Sequence, residues 1–114
     1  MVHAVTPPPD GGYPFNNTAE GTDALFELTQ GTGDAIGGIG NTAIGFQALY
    51  NNTTGNGNTA NGMTALFTNT TGAQNTANGV SALYSNNTGR DNAADGFQAL
   101  GNNTISSFNR TRCE

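Results

Sequence analysis

The feature that most constrains this chain is a phrase that returns every seventeen residues. Residues 58 to 74 read NTANGMTALFTNTTGAQ, and residues 75 to 91 read NTANGVSALYSNNTGRD. Aligned on their opening Asn, five copies start at Asn17, Asn41, Asn58, Asn75 and Asn92, the last four at intervals of seventeen. A fixed period of this length marks a stacked architecture, in which each unit buries its apolar side only against its neighbours. The first copy is separated from the second by an extra DAIGGIG, residues 34–40, which reads as an incomplete coil.

Within the repeat the third residue is always Ala and the fifth always Gly, with a mostly polar residue between them. That alternation predicts a short strand with one face inward. Ala-Leu followed by an aromatic residue predicts a second short strand. The Asn-Thr-Thr-Gly segment after it predicts a corner, where Gly31, Gly55, Gly72 and Gly89 can take a positive φ. A helix over the Ala and Leu positions would carry a Gly or Asn every few residues, at about 1 kcal/mol per Gly relative to Ala. The expectation is therefore an all-β parallel β-solenoid, or β-roll, of about five 17-residue coils. Its parts are a Pro/Gly-rich arm (1–16), coils at 17–33, 41–57, 58–74, 75–91 and 92–108 with a partial coil at 34–40, and a tail (109–114).

Stacked coils place equivalent residues about 4.8 Å apart, and this accounts for a composition rich in Asn, Thr and Gly. An Asn repeated at 17, 41, 58, 75 and 92 can hydrogen-bond to the copies above and below, while small Ala and Gly let two walls approach. Only 34% of residues are hydrophobic, which in a disordered chain usually accompanies high charge. Here only 10% are charged, which favours a backbone-dominated fold.

The net charge of −5 excludes the usual nucleic-acid footprint, since the only cations are Arg90, Arg110 and Arg112. No apolar stretch reaches membrane-spanning length. The opening MVHAVTPPPDGGYP has neither the charged region nor the apolar core of a signal peptide, so export implies a signal outside these residues. Cys113 is the single cysteine and reads as a spare thiol rather than an inter-chain bridge.

Ordering a seventeen-residue coil costs more backbone entropy than one Leu and one aromatic residue return on burial. The Leu and aromatic columns also look too bulky for a coil lined by Gly and Ala. One apolar column is thus expected to face another copy of the chain. The expected oligomer interface is Leu25, Leu49, Tyr50, Leu66, Phe67, Leu83, Tyr84 and Leu100, in a trimer or a longer filament. The Pro-rich stretch 6–14 would dock onto a neighbouring subunit.

The phrase NTAIGFQALYNNTTGNG resembles the repeats of bacterial surface and tail-fibre-like proteins that read Asn-Thr-Ala-x-Gly-x-x-Ala-Leu-x-x-Asn-Thr-Thr-Gly. The opening PPPDGGYPFNNTAEGTDALFELTQGTGD is similar to the leader of such arrays. More distantly, Asn-x-Ala-x-Gly resembles the head repeats of trimeric autotransporter adhesins, which form left-handed parallel β-rolls in a threefold bundle. The resemblance covers residues 7 to about 105 and implies a trimeric, exported, fibrous or adhesive protein. Seventeen residues exceed the usual adhesin-head coil, and an anchor, a stalk and a self-cleaving chaperone are not among these residues.

Convergent chemistry is sparse, and no catalytic, cofactor or metal residue is assigned. His3 is the only histidine and sits in the arm. Glu20, Asp23 and Glu27, like Asp91 and Asp95, read as solvated charges. GTGDAIGGIG lacks the Asp array of a calcium roll and the Lys of a phosphate loop. Asn-x-Ser/Thr sequons occur at Asn16, Asn51, Asn52, Asn69, Asn86, Asn102 and Asn109, as glycan acceptors or simply as turn residues. Thr18, Thr42, Thr59 and Thr76 form a file, broken at Ala93, that reads as ladder-forming structural Thr rather than as the flat Thr array of an ice-binding surface. The leading expectation is a non-enzymatic, self-associating extracellular or cell-surface fibre protein. The alternative is an adhesin head or other binding module for glycans or surfaces, and less so for ice.

Overall fold

In a computed structural model of the chain, residues 16–28 and 38–112 are described. The arm up to Phe15, with His3, lies outside them, as do Gly31, residues 34–37 of the expected partial coil, and Cys113. Among the described residues the fold is all-β: a parallel β-solenoid with one three-residue strand per turn. The strands are β1 (Thr18–Glu20), β2 (Thr42–Ile44), β3 (Thr59–Asn61), β4 (Thr76–Asn78), β5 (Ala93–Asp95) and β6 (Arg110–Arg112). They form one sheet in chain order, with Ala19, Ala43, Ala60, Ala77, Ala94 and Thr111 aligned across it.

Two boundaries differ from the sequence reading. Asn17 Nδ2 donates to the Gly38 carbonyl at 2.9 Å, as Asn41 Nδ2 does to Gly55 at 2.8 Å. Gly38 therefore holds in the first turn the place that Gly55 holds in the second, so 38–40 belong with the first turn. At the other end, 109–112 is not a tail: β6 pairs with β5 and starts a sixth turn.

The expected second strand is absent. Residues at the seventh and ninth repeat positions are left-handed, including Gln47 (φ 55°) and Leu49 (φ 51°), Thr64 (55°) and Leu66 (52°), and Ser81 (59°) and Leu83 (51°). Successive residues of a strand face opposite sides, yet Ala48 with Leu49, Ala65 with Leu66 and Ala82 with Leu83 are all buried in the interior. Left-handed backbone on either side of the Ala turns both side chains inward. Each such residue costs about 1 kcal/mol or more. Bonds between turns oppose that cost: Leu49 N–H donates to Ala65 O at 3.0 Å, and Thr64 N–H to Phe46 O at 2.9 Å.

Glycine is required where the strand ends. Gly62 has φ 139°, and a Cβ there would lie 2.6 Å from the Gly79 carbonyl carbon of the next turn. The resulting core is a column of Ala and Leu, framed by two columns of buried Asn.

Candidate functional site

The interior is organised by Asn rather than by apolar volume. At the first repeat position, the N–H and Nδ2 of Asn58 both donate to Asn41 Oδ1, at 2.9 and 3.2 Å. Asn75 does the same to Asn58 at 3.0 Å each, and Asn109 to Asn92 at 3.0 Å each. The ladder expected from the sequence is present, and it is fully buried from Asn41 to Asn75.

A second ladder stands beside it. Asn69 Nδ2 donates to Asn52 Oδ1, and Asn86 Nδ2 to Asn69 Oδ1, each at 2.8 Å. The two ladders meet at one carbonyl per turn: Gly72 O accepts from Asn58 at 2.8 Å and from Asn69 at 3.0 Å. No buried side-chain nitrogen or oxygen among the described residues lacks a partner, as a buried polar network requires. Sequence reasoning placed this second column in a loop. The seventeen-residue recurrence of Asn52, Asn69 and Asn86 is legible in the sequence and reads there as an edge file of turn residues or glycan acceptors, although the same interval fits a second buried ladder.

This arrangement corrects two sets of expected sites. Leu25, Leu49, Leu66 and Leu83 are 0% exposed inside the single chain, so they are core residues rather than an outward seam, and Leu100 is half-buried against the same core. The reason is the left-handed backbone described above, which sequence periodicity does not carry. Among the sequons, Asn52, Asn69 and Asn86 are also 0% exposed, with Nδ2 engaged in the ladder. A glycan on any of them would break the turn. Asn51 and Asn109 are half-buried and hydrogen-bonded, while Asn16 and Asn102 are exposed.

Of the expected interface residues, Tyr50 and Phe67 are half-buried and Tyr84 is exposed. Phe26, Tyr50, Phe67 and Tyr84 stack in one column, with ring centroids 5.0, 5.3 and 5.3 Å apart and interplanar angles of 5°, 18° and 6°. Rings held at the turn spacing cover each other's faces and add about 1 kcal/mol per pair beyond burial. Gly101 holds the next place, and the column stops there. Beside it lies a depression of about 480 Å³ lined by Ser81, Tyr84, Ser85, Gln98, Gly101 and Asn102. A neighbouring groove of about 550 Å³ shares Ser85 and runs past Asn51, Thr68, Thr70 and Asn87.

A separate apolar file runs along the outside at the sixth repeat position, where Phe46, Met63 and Phe97 are exposed, Phe97 at 66%. At the ends of the stack the charges differ in sign. The first turn carries Glu20, Asp23 and Glu27, and β6 carries Arg110 and Arg112, the latter 3.8 Å from Asp95. No group of three His, Cys, Asp or Glu that could hold a metal ion is found among the described residues. No known protein family, curated protein or solved structure matches the chain.

Proposed function

We propose that the protein is a structural subunit that associates with copies of itself, end to end, into a fibre or surface appendage outside the cell. The observation that supports this most is a ladder that is the same from turn to turn. In each turn the N–H at the second repeat position donates to the carbonyl of the following turn's Asn, as Thr59 does to Asn75 at 2.8 Å and Ala93 to Asn109 at 2.7 Å. Arg110 holds that position in β6, and the same bond can run on to the Asn carbonyl of another copy of the chain.

In the repeat frame, β6 of one copy meets β1 of the next with Arg110 beside Thr18 and Arg112 beside Glu20. Acidic and basic ends then face each other, which sets direction and register. The contact is head-to-tail, so it propagates rather than closes. Negative-stain micrographs of the chain should show rods many subunits long. Arg110→Pro removes the outward N–H without touching a bond inside the chain, and should leave discrete single particles with an unchanged circular-dichroism spectrum. Glu20→Arg should shorten the rods, and adding Arg112→Glu should restore them. Micrographs showing only particles of one chain, or rods untouched by Arg110→Pro, would sink the reading.

A further inference from the structure

The aromatic column has a vacancy, and its surroundings define a ligand. Phe67 and Tyr84 are 5.3 Å apart and nearly parallel, but the next place in the column belongs to Gly101, which has no ring. Tyr84 is 37% exposed and lines the depression at that vacancy. The place left by Gly101 is walled on one side by the Tyr84 ring.

The rim is polar and uncharged: Ser81, Ser85, Gln98 and Asn102, without Asp, Glu, Lys, Arg or His. Ser81 Oγ is paired with Thr64 Oγ1 at 2.9 Å. The side chains of Gln98, Ser85 and Asn102 make no hydrogen bond to the described residues, and Gln98 and Asn102 are exposed. Two amides and a hydroxyl therefore remain to bind whatever rests on the ring, as donors and as acceptors.

From this geometry we infer that the slot binds one neutral pyranose unit of a sugar chain, stacked on Tyr84. The C–H face of a pyranose carries partial positive charge and suits the negative face of the ring, while its hydroxyls meet the Gln98, Asn102 and Ser85 side chains. An aromatic side chain from a second copy would fill the same space but offer those amides no hydrogen-bond partner. A phosphorylated or sulfated ligand would find no cation on the rim. The volume of about 480 Å³ suits a compact ligand. Ser85 also borders the hydroxyl-lined groove past Thr68 and Asn87, which gives further units of the chain a path. This site lies on the side of the last complete turn, not on a strand edge, so it does not rest on end-to-end assembly.

The test is an amide-resolved NMR titration of the full chain with neutral hexasaccharides of glucose, mannose and galactose. At least one should bind saturably, with shifts centred on Gln98, Gly101 and Asn102. Tyr84→Ala should weaken that binding roughly tenfold or more, and Tyr84→Phe, which keeps the ring, should hold it within about threefold. Gly101→Phe places in the slot the ring that other turns already carry. It should abolish binding while the rest of the spectrum stays folded. No saturable binder among the three, or a Gly101→Phe variant that binds like the parent, overturns the assignment. It is equally overturned if no sugar binds and Gly101→Phe instead lowers the sedimenting mass, since the slot then receives a ring from a second copy.

Discussion

The two walls of each turn solve the same stacking problem with different backbones. Along β1 to β5 the chain is extended, the inward residue is Ala, and the outward neighbours alternate around it. On the opposite wall, residues such as Thr64 and Leu66 are left-handed, and two consecutive side chains, Ala65 and Leu66, point inward. Bonds between turns run through both walls at similar lengths: Thr59 N–H to Asn75 O at 2.8 Å on the strand, and Leu66 N–H to Ala82 O at 3.0 Å on the turn. The comparison teaches that a regular ladder does not need a regular strand. It needs identical conformations at equivalent positions, and repetition of the sequence provides them even when each conformation is locally unfavourable.

The junction between the walls should be the most sensitive place to break this. Gly62→Ala introduces a Cβ that would sit 2.6 Å from the backbone of the next turn, in a conformation L residues rarely adopt. We expect a loss of at least about 3 kcal/mol, read as a collapsed urea midpoint. A variant with the parent's midpoint would mean that the turns are not in this close contact.

The two Asn ladders sharpen the comparison next. Asn58 bonds to a backbone N–H of the following turn as well as to its side chain, whereas Asn69 receives only the Asn86 side chain. Asn58→Ala should therefore cost more than Asn69→Ala, by about 1–3 kcal/mol, because it strands a buried main-chain donor. Leu28 stands in the first turn where Asn69 stands in the third. Asn69→Leu is accordingly expected to be milder than Asn58→Leu. Equal denaturation midpoints for the Asn58 and Asn69 variants would erase the distinction between the ladders.

The smallest effect is a gain on the strained wall. Thr64 is β-branched and left-handed at φ 55°, a conformation Asn tolerates better. Thr64→Asn should stabilise the chain by up to about 1 kcal/mol, less what is lost with the Thr64–Ser81 hydroxyl contact at 2.9 Å. Thermal melting of the two proteins side by side would show the shift, and a lower melting temperature would argue against strain at this position.

Much of the fold was readable from particular residues. The invariant Ala and Gly of the repeat announced a narrow wall, and the Asn at the head of each copy announced a ladder, because only a buried amide with copies above and below can fill all its bonds this way. The candidate slot was less legible. Gly101 was visible as an exception in an aromatic column, but its meaning depended on the rings being stacked and on Gln98 and Asn102 standing beside the gap.

By itself, then, the amino-acid order determined the period, the all-β coil, the strand at each repeat head and the first Asn ladder. These depend on residue size, on alternation and on recurrence, all of which are written along the chain. Only the tertiary structure decided that Leu49, Leu66 and Leu83 face inward and that Asn52, Asn69 and Asn86 form a second buried ladder. The first outcome follows from the sign of φ at a few non-glycine residues. Hydropathy carries no information about that sign, and no single turn would hold it. It is stable because each turn's N–H and C=O groups are fixed by the turns on either side.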